Sequence, residues 1–175
     1  MATHALRNMD FRRHVCRTLH EDHVATLALL ERLERLLGCH DPSHPPGAAE
    51  ADTGRLLQEM TRALQGEVVV HFAFEEDSVF PLLAAAGEGE MGETLAAEHR
   101  VILALARRLL EVAGPALAGG FTADAWSEFH AAGAAFVEHL DAHVRKEEGG
   151  LLPALDEILD EESDGRLAID FAERR

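Results

Sequence analysis

The chain is poor in cysteine, aromatic residues and positive charge, and each shortage excludes a class of function. Its two cysteines, Cys16 and Cys39, form no Cys-x-x-Cys motif, so neither a disulfide framework nor a thiolate metal site is expected. Tyrosine is absent, which excludes a tyrosyl-radical mechanism. The chain has 16 basic and 32 acidic residues, and its formal net charge of -16 argues against binding to a nucleic-acid backbone.

Long apolar runs are also missing. No segment approaches the ~20 apolar residues that a helix needs to cross a bilayer. Residues 1–19 carry charges throughout and have no apolar core, so we expect no signal peptide. We therefore predict a cytoplasmic protein without a membrane partner. At 175 residues the chain is long enough for one domain with a full core.

Helical periodicity runs through almost the whole chain. Apolar residues recur at spacings of three and four, and Ala, Leu, Glu and Arg dominate. Four long helices are predicted, over about 11–37, 51–86, 93–113 and 122–148. The second should bend near Pro81, the third should end at Gly114-Pro115, and Thr122 should cap the fourth. A short helix should follow to about residue 160. Beyond that residue the sequence pattern does not distinguish an ordered segment from a disordered one. These features predict an all-α, up-down-up-down four-helix bundle.

A pattern of acidic residues and histidines occurs twice in the chain, 72 residues apart. In each copy a His is followed four residues later by a Glu-Glu pair and ten residues later by Pro, and an acidic-His pair precedes it. The two copies are Asp22-His23 with His71-x-x-x-Glu75-Glu76, and Glu98-His99 with His143-x-x-x-Glu147-Glu148. A His and a Glu four residues apart share one face of a helix, so both can reach one metal ion.

The duplicated pattern predicts a metal site in the core of the bundle. Each of the four predicted long helices carries one of the histidines. On the last helix, His143 and Glu147 continue an apolar stripe that includes Phe136 and Leu140. A carboxylate on such a stripe is costly without a cation. Imidazole with carboxylate and no thiolate suits iron, manganese or zinc, and iron is favoured where oxygen chemistry is the purpose.

The combined motif, over about residues 15–155, resembles the hemerythrin-like family, also called the HHE cation-binding domain. The resemblance implies a four-helix bundle that holds two iron ions in a non-haem di-iron centre, with Glu75 and Glu147 as bridges. We predict a hemerythrin-like four-helix bundle over residues 1–163, followed by a C-terminal tail over 164–175. The inner ligand set is then His23, His71, Glu75, His99, His143 and Glu147.

Two positions depart from the oxygen-carrying hemerythrins. Leu103 stands where those proteins have a second His on the third helix, and Glu148 stands at the spacing of their last Asp ligand. A fifth imidazole must therefore come from elsewhere or be replaced by solvent. His20, three residues before His23, and His139, one turn before His143, are equal candidates. His40 ranks lower, although His20 with His40 resembles the iron-centre repair branch of the family.

Three functions are compatible with this pattern. The first is a binding module that takes up oxygen, nitric oxide or peroxide at the metal pair, or that senses redox or iron status. The second is a di-iron enzyme that reduces nitric oxide or peroxide, or that supports the repair of iron centres. The third is metal storage. Turnover with an added electron donor would separate the enzyme from the sensor.

Overall fold

The computed structural model describes residues 10–47 and 50–175, which are mostly helical and contain no strand. The first nine residues of the domain expected over 1–163 lie outside the described residues. The α-helices are α1 His14–Cys39, α2 Ala51–Gln65, α3 Glu67–Phe74, α4 Phe80–Ala86, α5 Gly89–Gly119, α6 Ala123–Lys146, α7 Leu152–Ile158 and α8 Glu161–Arg174. Two π-helical segments are π1 Glu75–Val79, between α3 and α4, and π2 Glu147–Leu151, between α6 and α7.

Four long helical segments make the bundle. The first is α1, the second runs from α2 to α4, the third is α5, and the fourth runs from α6 to α7. The segment α1 packs on α2 and α6, and α5 packs on α2 and α6, so the four close into a ring. This packing confirms the all-α four-helix bundle predicted from the sequence. Among the described residues, no helix is long and apolar enough to span a membrane.

The third segment is longer than its sequence predicts. It continues through Pro115 to Gly119, so the predicted end at Gly114 is wrong. Pro115 cannot donate the helical hydrogen bond to the carbonyl group of Glu111. Both residues are exposed, so water can bond that carbonyl group while the helix goes on to bury Ala116. The predicted N-cap of α6 is confirmed, because the Thr122 hydroxyl accepts a hydrogen bond from the Ala125 N–H at 3.2 Å.

Two π-helical turns replace the simple bend expected near Pro81. In π1 the Phe80 N–H donates to the carbonyl oxygen of Glu75, five residues earlier. In π2 the Leu152 N–H donates in the same way to Glu147. In each case the next residue is a proline, which has no N–H with which to continue the ladder. The two wider turns therefore begin at the first glutamate of each Glu-Glu pair, Glu75 and Glu147.

The core consists of two apolar clusters separated by a polar layer. One cluster surrounds Trp126 and Phe129 at one end of the bundle, and the other surrounds Phe74 and Leu83 at the other end. Each fully buried side chain of this kind contributes about 1.5–3 kcal/mol. Four buried histidines and three buried glutamates account for most of the buried polar side chains, and they are His23, His71, His99, His143, Glu75, Glu147 and Glu148.

Residues beyond 160 form a fifth long element, α8, which crosses the boundary expected at residue 163. Asp160 caps α8 by accepting a hydrogen bond from the Ser163 N–H at 2.8 Å. Asp164 in turn accepts from the N–H groups of His14 and Val15 at the start of α1. Phe171 is buried in the second apolar cluster. The helix α8 is therefore packed against the bundle.

Candidate metal centre

Six side chains converge in the polar layer and form two donor groups. His23 and His71 form the first group together with both Glu75 and Glu147. The second group contains the same two glutamates with the two remaining histidines of the motif, His99 and His143. Within each group the donor atoms lie within 4.8 Å of one another, and every member is buried. The structure thus brings together all six residues of the expected inner ligand set.

Each shared glutamate presents one oxygen to each group. Glu75 places Oε1 3.2 Å from Nε2 of His71 and Oε2 3.4 Å from Nε2 of His99. Glu147 places Oε2 3.1 Å from Nε2 of His23 and Oε1 2.8 Å from Nε2 of His143. Carboxylates arranged in this way can bridge two metal ions.

The spacing of the imidazoles fits one ion in each group. The two Nε2 atoms are 3.2 Å apart in the first group (His23 and His71) and 3.1 Å apart in the second (His99 and His143). Two nitrogens bound to one ion at about 2.1 Å lie about 3.2 Å apart when the angle at the metal is about 100°. The donor geometry therefore suits a pair of cations.

The carboxylate oxygens provide a second sign of a cation-binding site. Oε2 of Glu75 and both side-chain oxygens of Glu147 are buried and accept no hydrogen bond. His143 Nε2 is only 2.8 Å from Oε1 of Glu147, yet its orientation does not suit a hydrogen bond. Buried carboxylate oxygens without a donor are costly, and a cation in each group would satisfy them.

Four further carboxylates, here called the outer carboxylates, hold the other ring nitrogen of each histidine. Within the first repeat, Asp22 contacts Nδ1 of His71 at 3.5 Å. Within the second repeat, Glu98 contacts Nδ1 of His143 at 3.0 Å. The remaining two contacts cross between the repeats.

In the crossed contacts, the second Glu of each pair reaches the first His of the other repeat. Glu76 contacts Nδ1 of His99 at 2.8 Å, and Glu148 contacts Nδ1 of His23 at 2.6 Å. A carboxylate on Nδ1 fixes the tautomer and the ring orientation, so that Nε2 is free for a metal. Every acidic residue of the duplicated motif is therefore assigned either to a donor group or to the orientation of an imidazole.

The carboxylates also determine the pKa values of the histidines when no cation is bound. Burial lowers the pKa of His23, but the adjacent carboxylates of Glu147 and Glu148 outweigh burial and raise it to about 9. Burial likewise lowers the pKa of His71, and the charge of Glu75 with the bond to Asp22 raises it to about 10. Metal binding must therefore displace protons from these imidazoles.

Glu147, one of the two shared glutamates, responds in the opposite sense. Burial raises the pKa of Glu147, but its contacts with His143, His23 and His99 outweigh burial and hold that pKa well below its ordinary value. Without cations, the layer thus favours the imidazolium forms of His23, His71 and His99 beside the carboxylate of Glu147. Such a buried network is stable only while every charge keeps its partner.

A comparison of the sequence with family models decides the relationship of the chain. The model of the hemerythrin HHE cation-binding domain matches residues 14–155. The chain belongs to the hemerythrin HHE cation-binding domain family. Among curated proteins, no sequence matches the chain at a significant level. The HHE match includes all six inner residues and all four outer carboxylates, and it ends before α8 begins at Glu161.

The three candidates for a fifth imidazole in this HHE domain lie outside both donor groups. His20 has Nδ1 at 2.9 Å from Oε2 of Glu148, so it shares that carboxylate with His23. His139 is exposed on α6. His40 contacts Glu50 at 3.6 Å in the loop after α1, away from the polar layer. Among the described residues, each group therefore contains two imidazoles.

The outer carboxylates are the functional residues that sequence reasoning missed. Their signal was present, since an acidic residue adjoins an inner ligand at Asp22, Glu76, Glu98 and Glu148. Adjacent residues of a helix point about 100° apart, so the neighbour of an inward ligand reaches sideways towards the next helix. Which histidine it reaches depends on the packing of the helices, which the spacing in one helix does not specify.

Proposed function

We propose that the protein is a non-haem di-iron protein that binds oxygen, nitric oxide or peroxide at its metal pair and acts as a sensor of that molecule. The observation that carries the proposal is the pair of donor groups that share Glu75 and Glu147. Shared carboxylates hold two ions side by side, whereas a single structural ion needs only one closed set of donors. The nitrogen and oxygen donors suit iron, with zinc or manganese as alternatives.

The number of donors supports small-molecule binding. Each group offers two imidazole nitrogens and two carboxylate oxygens. An ion that takes more than four donors therefore keeps open positions, as a site of chemical function requires. Iron in this pair would supply Lewis acidity and electrons to a bound molecule. The protein's own residues would hold the ions, orient the imidazoles and restrict access.

A cavity connects the first donor group with the exterior. It has a volume of about 220 Å³ and is lined by His23, His71 and Glu147, with Val68 and Val144 among its apolar walls. This volume is sufficient for a molecule of two or three atoms. A small molecule entering it would arrive at the first metal position.

The second donor group is sealed. His99 and His143 are fully buried, and the ring of Phe72 stacks on His99 at a centroid distance of 3.7 Å. Phe80 stacks on the same imidazole at 5.6 Å. The ion at this position would support the bridging carboxylates, while the ion at the first position would meet the small molecule.

Leu103 favours a sensor over a reversible oxygen carrier. Its side chain is partly buried and packs against the first apolar cluster, so it offers no donor to either group. With two imidazoles in each group, a ferrous ion is less fully coordinated than the resemblance implies for a carrier. We expect such an ion to be oxidised by oxygen and to react with nitric oxide.

The test is the optical spectrum of iron(II)-loaded protein, purified without oxygen, before and after exposure to oxygen or nitric oxide. We expect a change whose amplitude follows the iron content and is abolished in His71→Ala. The matched control is His139→Ala, which removes an exposed imidazole from the fourth helical segment. A fully loaded protein whose spectrum responds to neither gas would contradict the proposal and favour storage. Rapid turnover with an electron donor would instead make the protein an enzyme.

A further inference from the structure

We propose that α8 is a positioning element of the first metal site, because Arg175, the residue that follows α8, supplies the positive charge that holds the outer carboxylate of His71. The inference rests on the proposed metal centre and concerns residues beyond the HHE match, which ends at residue 155. The two repeats of the motif differ in the source of this positive charge.

In the second repeat, the positively charged side chain that pairs with the outer carboxylate comes from the helix that carries His143. Glu98 contacts Nδ1 of His143 at 3.0 Å and also forms an ion pair with Lys146. Lys146 lies three residues after His143 in α6. The chain of contacts therefore runs from the ring to the carboxylate and on to a cation of the same helix.

In the first repeat, the same chain of contacts ends on α8. Asp22 contacts Nδ1 of His71 at 3.5 Å, and Arg175 donates to Asp22 at 2.7 Å. The residue three after His71 is Phe74, so this helix offers no cation where the second repeat has Lys146. Arg175, from the end of the chain, occupies the equivalent place.

The helix α8 packs on Phe74, the same residue that stands in place of Lys146 in the first repeat. Phe171 is 1% exposed. The centroid of its ring lies 4.5 Å from the ring centroid of Phe74 and 6.0 Å from that of His71. The guanidinium group of Arg175 lies over the Phe171 ring at 5.3 Å. Phe74 thus provides the surface on which α8 packs. The packed helix places Arg175 beside Asp22, so that a positive charge is present where the sequence of α3 offers none.

Two further contacts tie α8 to π1. The Ser78 hydroxyl donates to Asp170 at 2.7 Å, and Arg174 donates to Asp77 at 3.0 Å. Both partners follow directly after the Glu75-Glu76 pair. Arg175 also lines the cavity that leads to the first donor group. Release of metal from the first position should therefore depend on α8, while release from the second should depend on Lys146.

The test compares Arg175→Gln with Lys146→Gln, each in iron(II)-loaded protein without oxygen. An excess of a ferrous chelator is added, and the release of each ion is followed by absorbance. Anomalous diffraction from crystals that have lost part of their metal shows which position corresponds to the fast kinetic phase of release and which to the slow one. Arg166→Gln is the matched control, because it removes the same charge from the exposed side of α8, where Arg166 pairs with Glu162.

We expect Arg175→Gln to accelerate release from the His23 and His71 position several-fold, and Lys146→Gln to accelerate release from the other. The effect should stay below the roughly 10- to 100-fold change seen when a carboxylate on a ligating imidazole is itself removed. Rates for Arg175→Gln equal to those for Arg166→Gln, or equal acceleration at both positions, would overturn the inference.

A second measurement separates this inference from the metal proposal. If the unmodified protein retains no metal, the proposed metal centre fails, and hydrogen exchange of the metal-free protein still tests α8. Arg175→Gln and Phe171→Ala should then accelerate amide exchange in residues 67–79, whereas Lys146→Gln should not. Unchanged exchange in both α8 variants would show that the helix holds nothing at this site.

Discussion

Replacement of Glu148 by glutamine should weaken metal binding at the first position more than replacement of Glu76 weakens binding at the second. The two residues have equivalent places in the repeats, and each holds Nδ1 of one inner histidine. Their surroundings differ. Glu148 is 1% exposed and also binds His20, whereas the side chain of Glu76 is 43% exposed and, among the described residues, hydrogen-bonds to His99 alone.

The size of the effect follows from this difference. Removal of a carboxylate from a ligating imidazole lowers metal affinity by about 10- to 100-fold, which is about 1.4–2.7 kcal/mol. Glu148 accepts from His23 at 2.6 Å and from His20 at 2.9 Å, and its burial prevents water from replacing it. We therefore expect Glu148→Gln near the upper value. Glu76→Gln should lie near the lower value, because the half-exposed Glu76 carboxylate is already partly solvated, so its replacement removes less stabilisation from His99.

The assay is a competition titration of each variant against a chelator of known affinity, with the two binding steps fitted separately. Glu148→Gln should shift one step and Glu76→Gln the other, by the unequal amounts given above. Far-ultraviolet circular dichroism would establish that both variants keep their helices. Equal losses in the two variants would refute the argument from burial, and unchanged affinities would refute the assignment of these carboxylates.

Three more predictions concern stability and reactivity. Removal of the metal should lower the thermal midpoint by several degrees, because the buried oxygens of Glu147 lose their cations, and an unchanged midpoint after confirmed metal loss would exclude this. The pKa of His71 is raised to about 10, and those of His23 and His99 to about 9, from an ordinary value of 6.5. In metal-free protein their stabilisation should thus be complete below pH 6.5 and lost as pH rises through 9 to 10, so its midpoint should fall across this window. Metal-loaded protein measured in parallel should resist the change, and identical declines would contradict this account. Finally, ferrous protein exposed to oxygen should oxidise and not recover under vacuum, since Leu103 offers no imidazole, and a reversible spectrum would restore the carrier reading.

The sequence predicts the bundle and the inner donor set because helical spacing determines them locally. A His and a Glu four residues apart must share a helix face, and the same spacing occurs at His71 and at His143. The proline that follows each Glu pair also predicts an irregularity in the helix, although the sequence does not show that this irregularity is a π-helical turn. These inferences need only one helix at a time.

Other features depend on contacts between helices and could not be predicted. His20 and His139 are both within one turn of an inner histidine, yet one binds Glu148 and the other is exposed. His139 is adjacent to the buried Leu140 and therefore about 100° away from it around the helix axis. Pro115 resembles a helix end in the sequence, and only the exposure of Glu111 shows why the helix can continue. The docking of α8 depends on Phe74, whose partner Phe171 lies almost a hundred residues away.

The most direct test of the central claim is metal analysis combined with anomalous diffraction at the iron edge, on protein reconstituted with iron(II) without oxygen. The account predicts two iron ions per chain, one between His23 and His71 and one between His99 and His143, with Glu75 and Glu147 bound to both. A single ion, less than one ion per chain under every reconstitution condition, or ions held at exposed residues elsewhere would contradict it.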